Sequence, residues 1–208
     1  MKTQIKSKKA KPSKKAKPSK KAKPSKKAKP SKKAKKMFTK NDYSSNEGML
    51  TSVWGPNLWH YLHTISFNYP IKPTHKNKKY YKEFILNLQH TLPCKHCRIN
   101  LTNNLKVYPL TLNHLKNRNN FSRYIFNLHE IVNKMLNKTS GLSYCEARDR
   151  YEHFRSRCSK NNTIKESKKE SGCTKPLHGI KTKCILNIVP ESEKQNTFNI
   201  DKKCFKIH

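Results

Sequence analysis

A lysine-rich repeat occupies the start of this chain and limits where a globular fold can form. The six residues KKAKPS occur four times in register from Lys8 to Ser31, and a degenerate copy follows to Lys36. The first forty residues hold nineteen lysines and no acidic residue. Such a segment has few apolar side chains to bury, repels itself and carries regularly spaced prolines, so we expect residues 1–45 to form a disordered tail. The core must come from the rest of the 208 residues.

The charge of the tail suggests partners but does not identify one. The chain has 47 Lys and Arg against 12 Asp and Glu, a formal net charge of +35. A lysine array attracts polyanions, and its affinity falls as salt rises, so nucleic acid or an anionic surface is a candidate partner. A solvated tail without a dedicated partner fits as well, because no aromatic residue interrupts the repeat to stack on bases. We find neither a secretory signal nor a transmembrane run, so we expect a soluble protein.

The part between about residues 51 and 158 has the apolar spacing of helices and few glycines or prolines. It predicts helices from residue 51 or 52 to 67, from about 75 to 92, from about 94 to 106 and from about 120 to 137, and a short fifth helix opened by a capping box of Ser143 and Glu146. The fourth has the most regular apolar face: Phe121, Ile125, Leu128, Val132, Met135 and Leu136.

These patterns predict an all-α protein, a four-helix bundle plus a short fifth helix, in residues 46–158. After residue 158 the sequence becomes rich in Lys, Ser, Asn and Glu, with short apolar clusters only. We therefore expect residues 159–208 to form a low-order C-terminal tail.

Cys94 and Cys97 form a CxxC pair at a predicted helix start. Pro93 ends the preceding helix because it has no N–H to donate and disfavours helical geometry in the residue before it. Free N–H groups, the helix dipole, Lys95 and Arg98 would then favour a thiolate, which indicates thiol–disulfide exchange. The alternative is half of a zinc site, but no second CxxC or HxxxH follows.

Three further motifs surround this pair. Trp59 and His63 lie four residues apart on one predicted helix face, ahead of a Tyr-Pro dipeptide at Tyr69. The segment HEIVN runs from His129 to Asn133 and is followed by Lys138. The dipeptide Arg150-Tyr151 lies between Cys145 and Cys158.

In their order and spacing, these motifs resemble the Erv/Alr family of FAD-linked sulfhydryl oxidases, whose patterns include GxxxWxxLH…YP, a Pro-Cys-x-x-Cys pair, HNxVN and LGK. The resemblance covers about residues 54 to 158. It implies FAD as cofactor, client protein thiols and dioxygen as substrates, hydrogen peroxide as product, and a homodimer. The sequence looks most like versions encoded by large cytoplasmic DNA viruses, which implies action in the host cytoplasm or the virion.

The resemblance also implies roles for individual residues. Cys97 would be the sulfur next to the flavin and Cys94 the sulfur that a client thiolate attacks, while Cys145 and Cys158 would form a structural disulfide. The residues that match cofactor-binding positions of the family are Trp59, His63, Tyr69, His129, Asn133, Lys138, Arg150 and Tyr151. No metal is implied.

The chain departs from the family patterns at several positions. Pro56 stands where the family often has Arg, Glu130 replaces Asn, Asn137 replaces the Gly of LGK, and Tyr151 replaces Trp. A carboxylate is unfavourable beside phosphate, so we expect Glu130 to turn away from the ligand. The interval from Cys145 to Cys158 is also shorter than in the family.

Two other classes of protein and one further role remain open at this stage. The bundle could be the scaffold of a basic nucleic-acid-binding or packaging protein, or an interaction module stabilised by zinc on Cys94, Cys97 and two further ligands. The chain has seven cysteines, an odd number, so at least one is unpaired or bridges another chain. In the C-terminal tail Cys173 and Cys184 could form a shuttle pair that delivers electrons to the CxxC, or these cysteines and Cys204 could be incidental.

Overall fold

The structure, a computed structural model, describes residues 38–46, 48–159 and 172–205, with the backbone alone at residues 158 and 159. The KKAKPS repeats lie outside the described residues. The described residues belong to two compact units, the first ending at Ser45 and the second beginning at Asn46.

The first unit contributes one short helix, α1 (Lys40–Ser44). Thr39 caps it: its hydroxyl accepts a hydrogen bond from the Asp42 N–H at 3.3 Å, and the Asp42 carboxylate accepts one from the Thr39 N–H at 2.5 Å. This reciprocal capping box satisfies two N–H groups of the first turn. The disordered tail over residues 1–45 stays a prediction, and at its end the structure has this short helix, none of whose residues is buried.

The second unit is mainly helical. Its helices are α2 (Thr51–Phe67), α3 (His75–Thr91), α4 (Lys95–Val107), α5 (Arg118–Met135) and α6 (Tyr144–Glu152). The five helices predicted from the sequence are confirmed, with most ends within about two residues. The predicted capping box opens α6, where the Ser143 side chain accepts from the Glu146 N–H and the Glu146 carboxylate accepts from the Ser143 N–H.

The helices α2 to α5 pack as a bundle around one apolar core. α2 packs against α5 and α6, α3 packs against α4, and α4 and α6 contact α5. The predicted apolar face of α5 supplies the centre, since Phe121, Ile125 and Leu128 are at most 2% exposed. Burying one such side chain contributes about 1.5–3 kcal/mol. Toward the end of the same face Met135 and Leu136 are partly exposed, because the bundle opens there into a cavity.

Two short strands follow the helices and were not predicted. β1 (Ser156–Ser159) pairs antiparallel with β2 (Gly172–Pro176), with Arg157 opposite Lys175 and an irregularity between Arg157 and Ser159. A short 3₁₀ helix, Lys202–Cys204, lies near the end. Between β2 and this 3₁₀ helix, residues 177–201 have no helix or strand, and they belong to the same compact unit as the bundle.

None of the helices in the described part of the chain combines the length and the apolar character required to cross a lipid bilayer.

Candidate active site

The two cysteines of the CxxC motif lie at the N-terminus of α4, as predicted. α3 ends at Thr91, Leu92 has extended geometry ahead of Pro93, and Cys94 is the N-cap of α4. The Cys94 sulfur accepts a hydrogen bond from the Cys97 N–H at 3.2 Å, in the place where an N-cap oxygen usually accepts. Both thiols are free in this structure.

The two sulfurs differ in acidity. Hydrogen bonding from the Cys97 side chain, supported by backbone N–H groups, lowers the pKa of Cys94 below its ordinary value, whereas burial raises the pKa of Cys97. The Thr51 hydroxyl at the start of α2 lies 3.9 Å from the Cys97 sulfur. The pKa is therefore lowered at Cys94 alone, and hydrogen bonds, not the charges of Lys95 and Arg98, lower it. Arg98 does not contribute through contact, because its guanidinium donates to the Leu92 carbonyl.

A cavity of about 1130 Å³ opens beside Cys97. Its walls come from the four helices α2 to α5, from the loop after α5, from Tyr151 of α6 and from the C-terminal segment. Cys97 lines this cavity and Cys94 does not. The volume is at the upper end of the roughly 300–1,000 Å³ typical of small-molecule and cofactor sites, so it is large enough for an extended ligand.

Aromatic rings from three helices form one part of the wall of this cavity. Trp59 of α2 stacks on His129 of α5 with ring centroids 4.0 Å apart and an angle of 8°. His63 Nε2 lies 3.0 Å from His129 Nδ1, within hydrogen-bond distance, and Tyr151 stacks on His63 at 5.4 Å. Burial lowers the pKa of His63 to about 3 and that of His129 to about 4. Both imidazoles are therefore neutral at physiological pH.

The end of α5 places a cation at the cavity. Asn137 has a φ of 53°, in the left-handed region, and its N–H bonds to the Lys134 carbonyl while the Lys138 N–H bonds to the Asn133 carbonyl. These two bonds form a Schellman motif, which needs glycine or asparagine at the left-handed position. Asn137, which replaces the Gly of the LGK pattern, therefore still adopts the left-handed turn. Lys138 and Asn133 both line the cavity.

A smaller cavity of about 440 Å³ adjoins the same aromatic rings. His63, His129, Asn133, Lys138 and Tyr151 line both cavities, while Arg150 and Glu130 line the smaller one alone. Glu130 accepts a hydrogen bond from the Asn133 amide at 3.0 Å. Its carboxylate is absent from the larger cavity, but it still lines a pocket of the site.

Known proteins match the region that builds this site. The sequence profile of the Erv1/Alr family matches residues 56–157. A probable FAD-linked sulfhydryl oxidase of Acanthamoeba polyphaga mimivirus is 36% identical over 99 residues, which cover 48% of this chain and 68% of that protein. An FAD-linked sulfhydryl oxidase of African swine fever virus is 37% identical over 99 residues, which cover 48% of this chain and 80% of that protein. The chain belongs to the Erv1/Alr family.

Further matches have lower sequence identity. The FAD-linked sulfhydryl oxidase ERV1 of Arabidopsis thaliana is 32% identical over 84 residues, covering 40% of this chain and 42% of that protein. Among solved structures, the yeast Erv1 core has a TM-score of 0.46 and 21% identity, covering 57% of this chain and 93% of that structure.

The cavity of this Erv1/Alr chain has the polar chemistry of a dinucleotide site. Within the described residues, three buried side-chain atoms have no hydrogen-bond partner, namely Nδ1 of His60, Nδ1 of His63 and Nδ2 of Asn104, and all three residues line the larger cavity. Buried polar atoms are normally paired, so these atoms are available to a bound ligand. Flat rings suit adenine and flavin, and Lys138 suits a pyrophosphate. The residues present therefore fit FAD.

Tyr69 is the one predicted cofactor residue of this family chain that lines neither cavity. It is fully buried, packs against the rings of Tyr81 and Phe121, and donates from its hydroxyl to the Leu115 carbonyl at 3.1 Å. Its own carbonyl accepts from Arg118. Tyr69 therefore belongs to the core at the turn after α2 and does not form part of the cavity wall.

The predicted disulfide between Cys145 and Cys158 is not formed. Cys145 is a free, exposed thiol in the first turn of α6. Cys158 lies in β1, which pairs with β2, and in β2 Cys173 is disulfide-bonded. Cys184 is a free thiol, so Cys173 and Cys184 do not pair with each other as the predicted shuttle requires. No local sequence signal predicted the pairing of β1, which contains residue 158, with β2.

The structure adds site residues that the motifs did not reveal. His60, Asn104, Lys183 and Phe198 line the larger cavity, together with the free thiols of Cys184 and Cys204. His60 follows Trp59 directly and could have been found from the helical spacing. The others come from α4 and from the C-terminal segment, whose approach to the cavity depends on tertiary packing.

Gly48 supports the backbone of the dithiol. The Met49 N–H donates to the Pro93 carbonyl at 2.8 Å, and a Cβ on Gly48 would lie 2.3 Å from that oxygen and 3.1 Å from the Cys94 Cα. Gly48→Ala should therefore displace the Pro93-Cys94 segment and destabilise the protein by about 1–3 kcal/mol, as other overpacked sites do. Urea unfolding measures this loss.

Asn46→Ala is the matched control, since residue 46 is exposed two positions earlier. It should leave the unfolding midpoint unchanged. Equal stability of Gly48→Ala and the unmodified protein would show that this contact does not constrain the cysteine pair.

Proposed function

We propose that this chain is an FAD-linked thiol oxidase that forms disulfides in client proteins and converts dioxygen to hydrogen peroxide. The observation that carries the proposal is the position of the dithiol. In a chain of the Erv1/Alr family, Cys97 faces an aromatic-lined cavity of about 1130 Å³ while Cys94 lies outside that cavity. This arrangement supports a role for Cys97 beside the cofactor and a role for Cys94 toward the client.

The exchange with the client takes place at Cys94. When the pair is oxidised, a client thiolate attacks the Cys94 sulfur, which forms a client–Cys94 disulfide, breaks the Cys94–Cys97 bond and leaves the electron pair on Cys97. A second client thiolate then attacks the client sulfur of that mixed disulfide. The products are an oxidised client and the reduced Cys94/Cys97 pair, so two electrons enter the protein.

The lowered pKa of Cys94 favours the second of these steps. A thiol of lower pKa is a better leaving group, and Cys94 is the group that leaves when the client disulfide closes. The N–H of Cys97, which donates to the Cys94 sulfur, stabilises the charge that develops there. The position of Cys94 at the helix N-terminus therefore favours release of the oxidised client.

The cavity residues would hold FAD. Trp59, His63, His129 and Tyr151 supply flat surfaces, and Lys138 with Asn133 supplies polar groups at the end of α5. The neutral state of both histidines avoids burying a positive charge in the aromatic wall. When bound, FAD accepts the two electrons of the reduced pair and passes them to dioxygen.

A visible spectrum of the purified full chain tests this function. We expect about one FAD per chain, seen as a flavin absorbance band at about 450 nm. We also expect the protein to release peroxide when a dithiol is supplied. Stoichiometric zinc without flavin would contradict the proposal.

The two rival functions have less support. Among the described residues no three His, Cys, Asp or Glu side chains come close enough to hold a metal ion, so the zinc module lacks its ligand set there. If the chain were a packaging protein, the bundle would serve only as a scaffold. That function does not explain why a cysteine of the CxxC pair faces a cavity lined by residues with unpaired buried polar atoms.

We infer a homodimer through the exposed faces of α2 and α3. Tyr61 is 51% exposed, Tyr80 53% and Phe84 38%, and the rings of Tyr61 and Phe84 contact each other at 6.2 Å. Aromatic residues are enriched in interfaces, and a two-fold axis lets one patch cover its own copy. Tyr61→Lys with Phe84→Lys should raise the dimer dissociation constant by about 100-fold or more.

Sedimentation measures that change, and Val107→Lys is the control because residue 107 is apolar and 86% exposed on α4. The control should sediment like the unmodified protein. A monomer in the unmodified protein, or a dimer that survives both lysines, would contradict the placement of the interface.

The lysine repeat has a separate proposed role, binding to a polyanion. The first forty residues, which contain the repeat, hold nineteen lysines and no acidic residue, and this charge supports the proposal, although the repeat lies outside the described residues. Removing residues 1–40 should abolish most binding to duplex DNA at low salt and leave FAD content unchanged, because phosphate contacts release counterions. DNA binding that persists in the truncated chain would assign the activity to the bundle.

The site of action is proposed to be the host cytoplasm or the virion of a large DNA virus. The support is that the two relatives with 36% and 37% identity come from a mimivirus and from African swine fever virus. Immunodetection in purified particles tests the virion, and absence from both particles and infected cytoplasm would exclude the proposal.

A further inference from the structure

The C-terminal strap, defined as residues 177–205, packs over the candidate FAD cavity. The family profile ends at residue 157, so the strap lies outside the region that matches the family. Residues 182–186 and 197–201 of the strap line the larger cavity, on the side opposite the bundle helices. This chain therefore carries its own additional wall at the site.

Phe198 is the aromatic contact of the strap. Its ring centroid lies 4.9 Å from that of His60 and 5.9 Å from that of Tyr151, with an angle of 13° to the Tyr151 ring. Phe154 contacts it from the side at 6.3 Å. Phe198 and Thr197 line both the larger and the smaller cavity, so this ring lies where the two cavities meet.

The strap is anchored at its two ends. At the start the Leu177 N–H donates to the Arg155 carbonyl at 2.8 Å, and at the far end Phe205 packs edge-on against His153 at 4.7 Å. The part between has no helix or strand, and Ile185 and Ile188 within it are 75% and 74% exposed. Few buried contacts and little regular hydrogen bonding are the properties of a segment that opens locally at low cost.

We propose that the strap is a lid over the cofactor site and that Phe198 is the residue that holds it closed. The inference rests on the proposed function, since it assigns the covered cavity to FAD. Closing the lid adds an aromatic ring beside Tyr151 and brings the ammonium of Lys183 to the cavity, where it can meet a phosphate. Asp201 lines the same cavity and partly offsets that charge. The lid controls how fast the cofactor leaves.

The test is the rate of FAD release from the full-length holoenzyme. Phe198→Ala removes three ring contacts and should accelerate release about five- to tenfold, followed as the rise in flavin fluorescence after dilution. Phe198→Tyr keeps the ring and should restore slow release. Ile188→Ala is the control on the same strap, since residue 188 lines neither cavity, and it should release FAD at the rate of the unmodified protein.

A second measurement does not depend on flavin. Phe198→Ala should speed tryptic cleavage after Lys183 in the strap of the apo-protein about fivefold or more, whereas Ile188→Ala should not. Unchanged cleavage and release in Phe198→Ala, or equal acceleration by Ile188→Ala, would overturn the lid. Purified full-length protein without flavin would contradict the proposed function. The proteolysis result would still show whether Phe198 holds the strap closed.

Discussion

Cys97→Ser is expected to abolish turnover of protein dithiols, by about 1,000-fold or more, with FAD content unchanged. A redox-active pair works as a unit, so loss of one sulfur removes the disulfide that the client attacks. Cys94→Ser should cause a loss of the same size. Peroxide production with a protein dithiol substrate is the measurement, and near-normal output from either variant would contradict the relay through Cys94 and Cys97.

Cys145→Ser is the matched control because Cys145 is a free, exposed thiol away from the cavity. It should keep full activity. The unequal pKa values give a further readout on the reduced, unmodified protein. Cys94 should react with iodoacetamide at neutral pH faster than Cys97, since hydrogen bonding lowers its pKa while burial raises that of Cys97. The opposite order would contradict the assignment of Cys94 as the leaving group.

The histidine pair His63 and His129 is expected to contribute about 4 kcal/mol to the loss of unfolding free energy between pH 7.5 and pH 5. The buried His63 and His129 have pKa values of about 3 and about 4 in the folded protein, against an ordinary value of 6.5 when unfolded. Between these values the unfolded chain binds more protons than the folded chain, so stability falls as pH falls from about 6.5. The slope is about 1.4 kcal/mol per pH unit for each histidine, or about 2 kcal/mol each at pH 5.

His129→Gln removes one of the two groups and should reduce that pH-dependent loss to about 2 kcal/mol, whatever its effect on stability at pH 7.5. Urea unfolding at several pH values gives both numbers. His75→Gln, at the exposed start of α3, serves as the control and should keep the full loss. A loss that is the same with and without His129 would show that this pair does not carry the acid sensitivity.

Local sequence signals located the helices well. Pro93 ended α3, Cys94 capped α4 and the Ser143–Glu146 box opened α6, each through contacts within three residues along the chain. The regular apolar face of α5 is buried where the spacing placed it. The left-handed turn at Asn137 also follows from residue type, because asparagine tolerates positive φ better than most residues. The same kind of signal at Thr39 and Asp42 was present but overlooked.

Two residues that matched family motifs have a different environment in the folded protein, because contacts between distant parts of the chain determine their positions. Tyr69 matched a cofactor motif, yet its hydroxyl reaches the Leu115 carbonyl 46 residues away and holds it in the core. Cys145 matched a structural cysteine of the family, yet the Cys145 thiol is free. Its predicted partner, Cys158, lies in β1, which pairs with β2.

The helices, the position of the dithiol at a helix N-terminus and the resemblance to the Erv/Alr family can all be predicted from the amino-acid sequence, because each depends on residues close together in the chain. Three features depend on packing between distant elements: Cys97 faces the cavity while Cys94 does not, His63 and His129 meet at 3.0 Å, and Phe198 covers the site. These arrangements join residues about 40 to 140 positions apart. Their energy comes from burial and ring packing between separate elements, which no local pattern encodes.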